Sequence, residues 1–200
     1  MSMNAKKVCE IANELRENAV VVNTMGAMAA FDQLPRRELT VSCVPLMGGA
    51  ASLGLGLALA RPERNVMVFD GDASLLMELG GLVSVGQAAP GNLVHVLLNN
   101  GVQFAGLGNL PTPGARGVDF VGVARSCGYA SAVHCAHEED FRRELSAALS
   151  GSKGPAFIEV DTGYAPATLG EEMPAVEMTD ERFTRMGDEL RKTRSALLAS

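Results

Sequence analysis

The sequence predicts an α/β fold: a parallel sheet with helices on both faces. Three observations carry that reading. Short runs of β-branched and aliphatic residues alternate along the chain with segments of helical periodicity. Most of those runs are continuously apolar rather than alternating, which is the pattern of strands covered on both sides. Two of them end abruptly in polar, glycine-containing clusters, at the strand ends where open parallel sheets bind ligands.

The elements follow in order. Residues 4–18 place Val8, Ile11, Ala12 and Leu15 at helical spacing between charges, an amphipathic helix. Ala19–Asn23 (AVVVN) is a buried strand, followed by a Thr24-Met25-Gly26 loop and a short helix over 27–34 that Pro35 ends. Thr40–Val44 is a second strand. Met47–Asn65 is an Ala- and Leu-rich helix whose glycines, Gly48, Gly49, Gly54 and Gly56, let another backbone approach closely. Asn65–Phe69 (NVMVF) is a buried strand running into Asp70-Gly71-Asp72-Ala73-Ser74. One helix over Leu75–Ala89 comes next, closed by Pro90-Gly91. Leu93–Leu98 (LVHVLL) is a further apolar strand ending at Asn99-Asn100-Gly101, and residues 101–117 are a Gly- and Pro-rich loop. Asp119–Cys127 is helical and Ser131–His134 a short strand. His137–Leu149 is a helix with Phe141, Leu145 and Leu149 on one face, and Ala156–Val160 a strand. A Pro-punctuated acidic linker leads to a charged helix over about 179–198, with Phe183, Met186, Leu190 and Leu197 suited to dock on this domain or on a partner. The boundary implied is a domain over 1–165 and a linker with a C-terminal charged helix over 166–200.

Composition narrows the function classes. Of the 200 residues 47% are hydrophobic and 20% charged, which supports a packed core and excludes a disordered chain. The net charge of -6 argues against a nucleic-acid binder or a polybasic membrane patch. The start, MSMNAKKVCEIANEL, has no apolar stretch of the kind a signal peptide needs, and no uninterrupted apolar run reaches the ~18 residues of a membrane span. Cys9, Cys43, Cys127 and Cys135 form no CxxC pair or zinc spacing, and are expected as free thiols in a reducing cytoplasm. His134 and His137 flank Cys135, but adjacent strand positions point to opposite faces, which disfavours a metal site there. His95, inside an apolar strand, is expected in the core, and Glu78 as a solvated charge.

The chemistry concentrates at Asp72 and Asn100. Each follows a buried strand, and a carboxylate with an amide oxygen makes a hard-oxygen donor pair suited to Mg²⁺ when phosphate completes the shell. Gly71 lets the backbone approach a ligand. The N–H groups of Ala73 and Ser74 open the next helix and face an anion such as a diphosphate. Either cluster alone is an ordinary turn or helix cap. Together, each at a strand end, they describe a metal–diphosphate site.

On these residues the chain resembles the thiamine-diphosphate-dependent enzymes. Gly71-Asp72-Ala73 is followed by 25 residues, 74 to 98, and then by Asn99-Asn100. The segment MGGAASLGLGLALARPERNVMVFDGDASLLMELGGLVSVGQAAPGNLVHVLLNNGV is similar to the diphosphate-binding half of the phosphonopyruvate and sulfopyruvate decarboxylases, a likeness running from about residue 20 to 160. The resemblance implies a diphosphate-binding (PP-type) fold holding thiamine diphosphate and Mg²⁺. It implies Asp72, the Asn100 side chain and the Val102 main-chain oxygen as metal ligands. It further implies Ala73 and Ser74 on the diphosphate, Gly26 beside it, Met47 as the wedge that bends the cofactor and Gly48 as a main-chain contact to the aminopyrimidine. For Met47 a plain core role stays open.

The family activates its cofactor with a glutamate on a pyrimidine-binding domain, and no match to that domain is found in these residues. The resemblance therefore implies a beta-type subunit of a 2-keto-acid decarboxylase, working in the cytoplasm with a separate pyrimidine-binding alpha subunit as a heterodimer or heterotetramer. Two rivals remain: a carboligase subunit sharing the site, and a non-catalytic cofactor-binding or regulatory subunit. A dinucleotide fold fits only the α/β pattern, because Gly54-Leu55-Gly56 does not follow a strand directly. Ala73 departs from the family's second glycine, and is compatible with the site if its φ is negative. The stretch Gln103–Thr112 replaces the polar residues of the phosphonate and sulfonate enzymes with Phe104, Leu107 and Leu110, which predicts a less anionic, more apolar substrate. Gly106 stands where pyruvate-decarboxylase-like relatives carry a glutamate, so no catalytic acid carries over there.

Overall fold

The computed structural model describes residues 3–35, 37–43, 46–151, 153–166 and 180–199. Its elements in chain order are β1 (Met3–Asn4), α1 (Ala5–Leu15), β2 (Val20–Asn23), α2 (Met25–Phe31), β3 (Thr40–Ser42) and α3 (Gly49–Ala60). There follow β4 (Val66–Gly71), α4 (Asp72–Met77), α5 (Gly80–Ala88), β5 (Leu93–Asn99), β6 (Val102–Gln103) and β7 (Leu110–Pro111). A 3₁₀ turn over Pro113–Arg116 leads to α6 (Phe120–Ser126), β8 (Ser131–Cys135), α7 (Glu138–Leu149), β9 (Ala156–Gly163) and α8 (Asp180–Ala199).

The main sheet has seven strands in the order β1-β9-β5-β4-β2-β3, with β8 also pairing β9, and every pairing in it is parallel. Successive strand residues enter opposite layers. Val21, Met67, Phe69, Val94, Val96, Leu98 and Ile158 pack with α1, α2 and α7. Val20, Val22, Val66, Val68, Leu93, Leu97 and Phe157 pack with α3, α5 and α6. That two-sided burial is why the strands are continuously apolar.

The chain passes from β2 to β3 in one direction and then crosses back to β4, β5 and β9 on the other side of β2. The reversal opens a crevice at the carboxyl ends of β2 and β4, the place where such sheets receive ligands. The Thr24 N–H donates to the Phe69 carbonyl at 3.2 Å across this crevice.

Several expected boundaries change. β4 continues through Asp70 and Gly71, so the polar cluster begins inside the strand rather than after it. The single helix expected over Leu75–Ala89 is two, broken at Glu78 and Leu79. Gly80-Gly81 weakens helix propensity there, and the Gly48 backbone packs so close that a Cβ on it would sit 2.6 Å from the Glu78 Cβ. The loop expected over 101–117 contains an antiparallel β6–β7 hairpin and the 3₁₀ turn. The end of the second expected strand, Val44, and the acidic linker over 167–179 lie outside the described residues.

α8 packs on the edge strand β3. Arg185 donates to both Asp32 carboxylate oxygens at 2.7 and 2.9 Å and to Glu189 at 2.6 Å, and Glu189 in turn accepts from the Ser42 N–H at 2.6 Å. A helix over an edge strand occupies backbone groups that would otherwise template aggregation. The four cysteines are free thiols. Among the described residues no helix is long and apolar enough to cross a membrane.

His95 is fully buried, with Nδ1 3.1 Å from the Tyr129 hydroxyl and its ring edge-on to Phe157. Burial drives its pKa down to about 3. A histidine depressed in the folded state contributes stability at neutral pH that is lost as pH falls from 6.5, its unfolded value, toward 3. Relative to His95→Gln, the wild-type chain is expected to lose about 2 kcal/mol of unfolding free energy between pH 6.5 and 5, at about 1.4 kcal/mol per pH unit, in urea melts. A second test concerns close packing. A Cβ at Gly86 would lie 1.8 Å from the Cys127 carbonyl oxygen, whereas one at exposed Gly56 meets nothing within 4 Å. Gly86→Ala is expected to destabilise by about 1–3 kcal/mol, and Gly56→Ala to stabilise by about 0.5–1 kcal/mol, in the same measurement.

Candidate functional site at the carboxyl rim of the sheet

β4 and β5 run parallel in a register that sets Gly71 opposite Leu98. That register brings the residues following each strand to one rim. The Asn100 N–H points at Asp72 Oδ1, 3.4 Å away. Asn100 Oδ1 accepts from the Val102 N–H at 2.9 Å, an Asx turn that fixes the Asn100 side chain. Asp72 and Asn100, read separately from the sequence as an oxygen donor pair, are thus neighbours.

Asp72 is the first residue of α4 and is 1% exposed. Burial pushes its carboxyl above the usual range, and the Thr112 hydroxyl, donating to Oδ2 at 3.0 Å, pulls it back. Asp70, two residues earlier and fully buried, is driven up to about 6 by the same desolvation, countered by the Ser74 hydroxyl and the Gly71 N–H. Asp70 Oδ2 has no hydrogen-bond partner, and neither carboxylate has a cationic partner among the described residues. Uncompensated buried carboxylates are costly, and a divalent cation at Asp72 would supply the missing charge. Among the described residues no group of three His, Cys, Asp or Glu side chains forms a self-sufficient metal cage. A hard cation that takes most of its shell from phosphate and water needs none.

The anion side is built from backbone. Gly71 is extended, at φ -103°, and a Cβ there would meet nothing within 4 Å, so the chain is open to a close ligand. Ala73 lies inside α4 at ordinary helical dihedrals, so its methyl is unstrained and the departure from glycine carries no backbone cost. Ser74 is 1% exposed and its hydroxyl accepts from the Gly48 N–H at 2.7 Å, which ties α4 to the turn before α3. Gly48 sits at φ +86°, a left-handed conformation that favours glycine. Half-buried Met47 adjoins it. Gly26 is exposed in the first turn of α2, next to the crevice, where the Thr24 hydroxyl donates to the Cys43 carbonyl at 3.0 Å. Val102 begins the β6–β7 hairpin and is 7% exposed. The residues marked out by the sequence therefore gather on one rim around the switch point, and their donor chemistry fits a metal-bound diphosphate.

Two participants escaped the sequence reading. Thr112 lies 40 positions from Asp72 in a segment read as loop, and only its place between Pro111 and Pro113 hinted at a fixed geometry. Asp70 was visible only as part of a polar cluster, and its burial depends on the strand continuing past it. The His134–Cys135–His137 group holds no metal set; His134 instead pairs with Asp161 at 2.9 Å. Glu78 is exposed, as expected.

Comparison with known proteins gives concordant results. Residues 21–160 match the family model described as thiamine pyrophosphate enzyme, C-terminal TPP binding domain. The chain is 41% identical over 148 residues to a phosphonopyruvate decarboxylase of Streptomyces viridochromogenes, covering 74% of this chain and 36% of that protein. It thus spans about a third of that relative's length. It is 43% identical over 137 residues to sulfopyruvate decarboxylase subunit beta of Methanothermobacter thermautotrophicus, covering 68% of this chain and 67% of that one. Among solved structures, a thiamine diphosphate-dependent 4-hydroxybenzoylformate decarboxylase of Rhodococcus jostii RHA1 superposes with a TM-score of 0.69 at 25% identity, covering 83% of this chain and 34% of the other.

The geometry predicts a graded response to substitution. Calorimetric titration with Mg²⁺ and pyrophosphate is expected to show metal-dependent binding that Asp72→Ala abolishes. The near-isosteric Thr112→Val is expected to weaken it about tenfold, the effect of losing one hydrogen bond to a charged group.

Proposed function

The chain belongs to the thiamine pyrophosphate enzymes, through their C-terminal TPP binding domain, and on that premise we propose that it is the diphosphate- and Mg²⁺-binding subunit of a 2-keto-acid decarboxylase. The observation that carries the reading is the meeting of Asp72 and Asn100 at the ends of β4 and β5, with a buried, uncompensated carboxylate facing the place a cation would take. In this reading Asp72, the Asn100 side-chain oxygen and the Val102 carbonyl hold Mg²⁺. Gly71 gives the diphosphate room, the amides of Ala73 and Ser74 receive it, and Gly26 borders it from the β2 side. Met47 would press against the bound cofactor as its wedge, and Gly48 would offer a main-chain contact to the aminopyrimidine.

Bound thiamine diphosphate supplies the carbon nucleophile and the electron sink that loss of CO₂ from a 2-keto acid requires. The work of this chain is positional. Asp72 and Asn100 would hold the cation that binds the diphosphate, and the Ser74–Gly48 hydrogen bond locks α4 to the turn that carries Met47. Holding the reacting groups in place in this way lowers the entropic part of the barrier.

The activating glutamate comes from a separate pyrimidine-binding subunit, in a heterodimer or heterotetramer working in the cytoplasm. Supporting this, a relative named as a beta subunit matches over 67% of its own length. The substrate is a 2-keto acid with a tail less anionic than a phosphonate. Phe104 and Leu110, both about half exposed, stand on the hairpin that starts at Val102.

Purified alone, the chain is expected to bind Mg²⁺–thiamine diphosphate but to turn over no 2-keto acid, with CO₂ release appearing when the pyrimidine-binding subunit is added. Full turnover by the chain alone would refute the two-subunit reading. With the partner present, an apolar 2-keto acid is expected to show the higher kcat/KM, and a strong preference for phosphonopyruvate would overturn the substrate assignment. Acceptor-dependent products in place of the aldehyde would identify a carboligase.

A further inference from the structure

A second cavity, of about 640 Å³, lies on the far side of β2 and β3, walled by α1, α2 and α8. Its size is that of a small-molecule site, and polar and charged residues make up much of its lining. Asn23, the last residue of β2, is 1% exposed and lines it, yet neither amide atom has a hydrogen-bond partner among the described residues. Arg16, 3% exposed, also lines it. Two of its nitrogens are spent on the Thr40 hydroxyl and the carbonyls of Glu38 and Leu39, and its Nε is left without a partner. A buried amide and a buried guanidinium nitrogen without partners are costly unless something satisfies them.

The charges around the cavity are unequal. Asp32 and Glu189 are both engaged by Arg185, and Arg191 is paired with Asp188. Arg16 and Arg37 donate to neutral oxygens and form no ion pair among the described residues. Exposed Lys192 adds a third positive charge, against the exposed carboxylate of Glu38. Burial, helped by the neighbouring Arg37, lowers the Arg16 pKa to about 10, so the guanidinium stays charged at neutral pH.

We propose that this cavity is a second ligand site, separate from the diphosphate site, that takes a small organic anion, either a carboxylate or a phosphate ester. The anionic group meets Arg16, Arg37 and Lys192, and a polar group of the same ligand meets the Asn23 amide. α8 forms one wall, so occupancy holds that helix onto the edge of the sheet. Asn23 is also one residue from Thr24, and its carbonyl accepts from the Cys43 N–H at 2.7 Å, which connects the cavity to the crevice at the strand ends.

The test titrates the full chain, saturated with Mg²⁺ and thiamine diphosphate to occupy the other site, with inorganic phosphate and separately with malonate. Sodium chloride at equal ionic strength is the control. Calorimetry and the NMR signal of the Asn23 side-chain amide are read in parallel. Saturable binding by one probe, with a shift of that amide signal, is expected, and the probe that binds distinguishes the phosphate from the carboxylate source. Affinity is expected to fall at least tenfold in Asn23→Leu, which removes the amide at nearly constant volume, and severalfold in Arg37→Gln, an exposed position whose replacement leaves the core intact. Binding no stronger than the salt control, an unmoved amide signal, or affinity unchanged in both variants would overturn the proposal. Because cofactor binding is measured first, failure of the diphosphate site and failure of this one are read separately.

Discussion

Taking an ionised carboxylate out of water costs several kcal/mol unless charge or hydrogen bonds replace the lost solvation, and the carboxyl end of β4 does this twice within three residues. Asp70 is fully buried and Asp72 nearly so. Thr112, Ser74 and local backbone N–H groups meet part of the cost, and no cation in the described residues meets the remainder. The rim is therefore held short of its electrostatic optimum by its own protein atoms. Much of the local structure follows from this: the hydrogen bond from the Gly48 N–H to Ser74, the Asx turn at Asn100, and the segment that delivers Thr112. Each is a polar group placed where a carboxylate or its counter-ion needs one.

The sheet makes that concentration possible. A parallel strand order that reverses at β2 and β4 leaves the ends of two strands without a crossover above them. The helices that cover the faces cannot cover this rim. Polar side chains can gather there without breaking either hydrophobic layer, and the layers on both sides hold them rigid. The two hydrophobic layers beneath it are built from apolar side chains, with His95 and its tyrosine partner buried among them.

The opposite flank is organised differently. There α8 closes the sheet edge through Arg185, and the chain encloses Asn23 and Arg16 without satisfying them fully. Both flanks pair buried polar atoms with a gap. At the rim the excess charge is negative and matches a cation, and behind β2 it is positive and matches an anion. Asn23, the last residue of the short strand β2, lines the cavity, and Thr24, the residue after it, sits at the crevice.

The sequence by itself determined the layered parallel fold, because burial on both faces forces continuous apolar strands whose composition is local and visible. It also marked out Asp72, Asn100 and Gly71 as candidates, because donor chemistry is written in residue types, whereas Gly48, read there as part of the helix, is the left-handed residue before α3. Only the tertiary structure decided the rest. Thr112 joins Asp72 across 40 residues, and the partition of Leu75–Ala89 into two helices depends on the approach of Gly48 from another element. The short β6–β7 pairing and the docking of α8 on β3 likewise rest on contacts between distant segments. The orphaned amide of Asn23 is the clearest case: a residue type at the end of a strand carries no mark of whether its partners will be present, because those partners are set by which helices close over it.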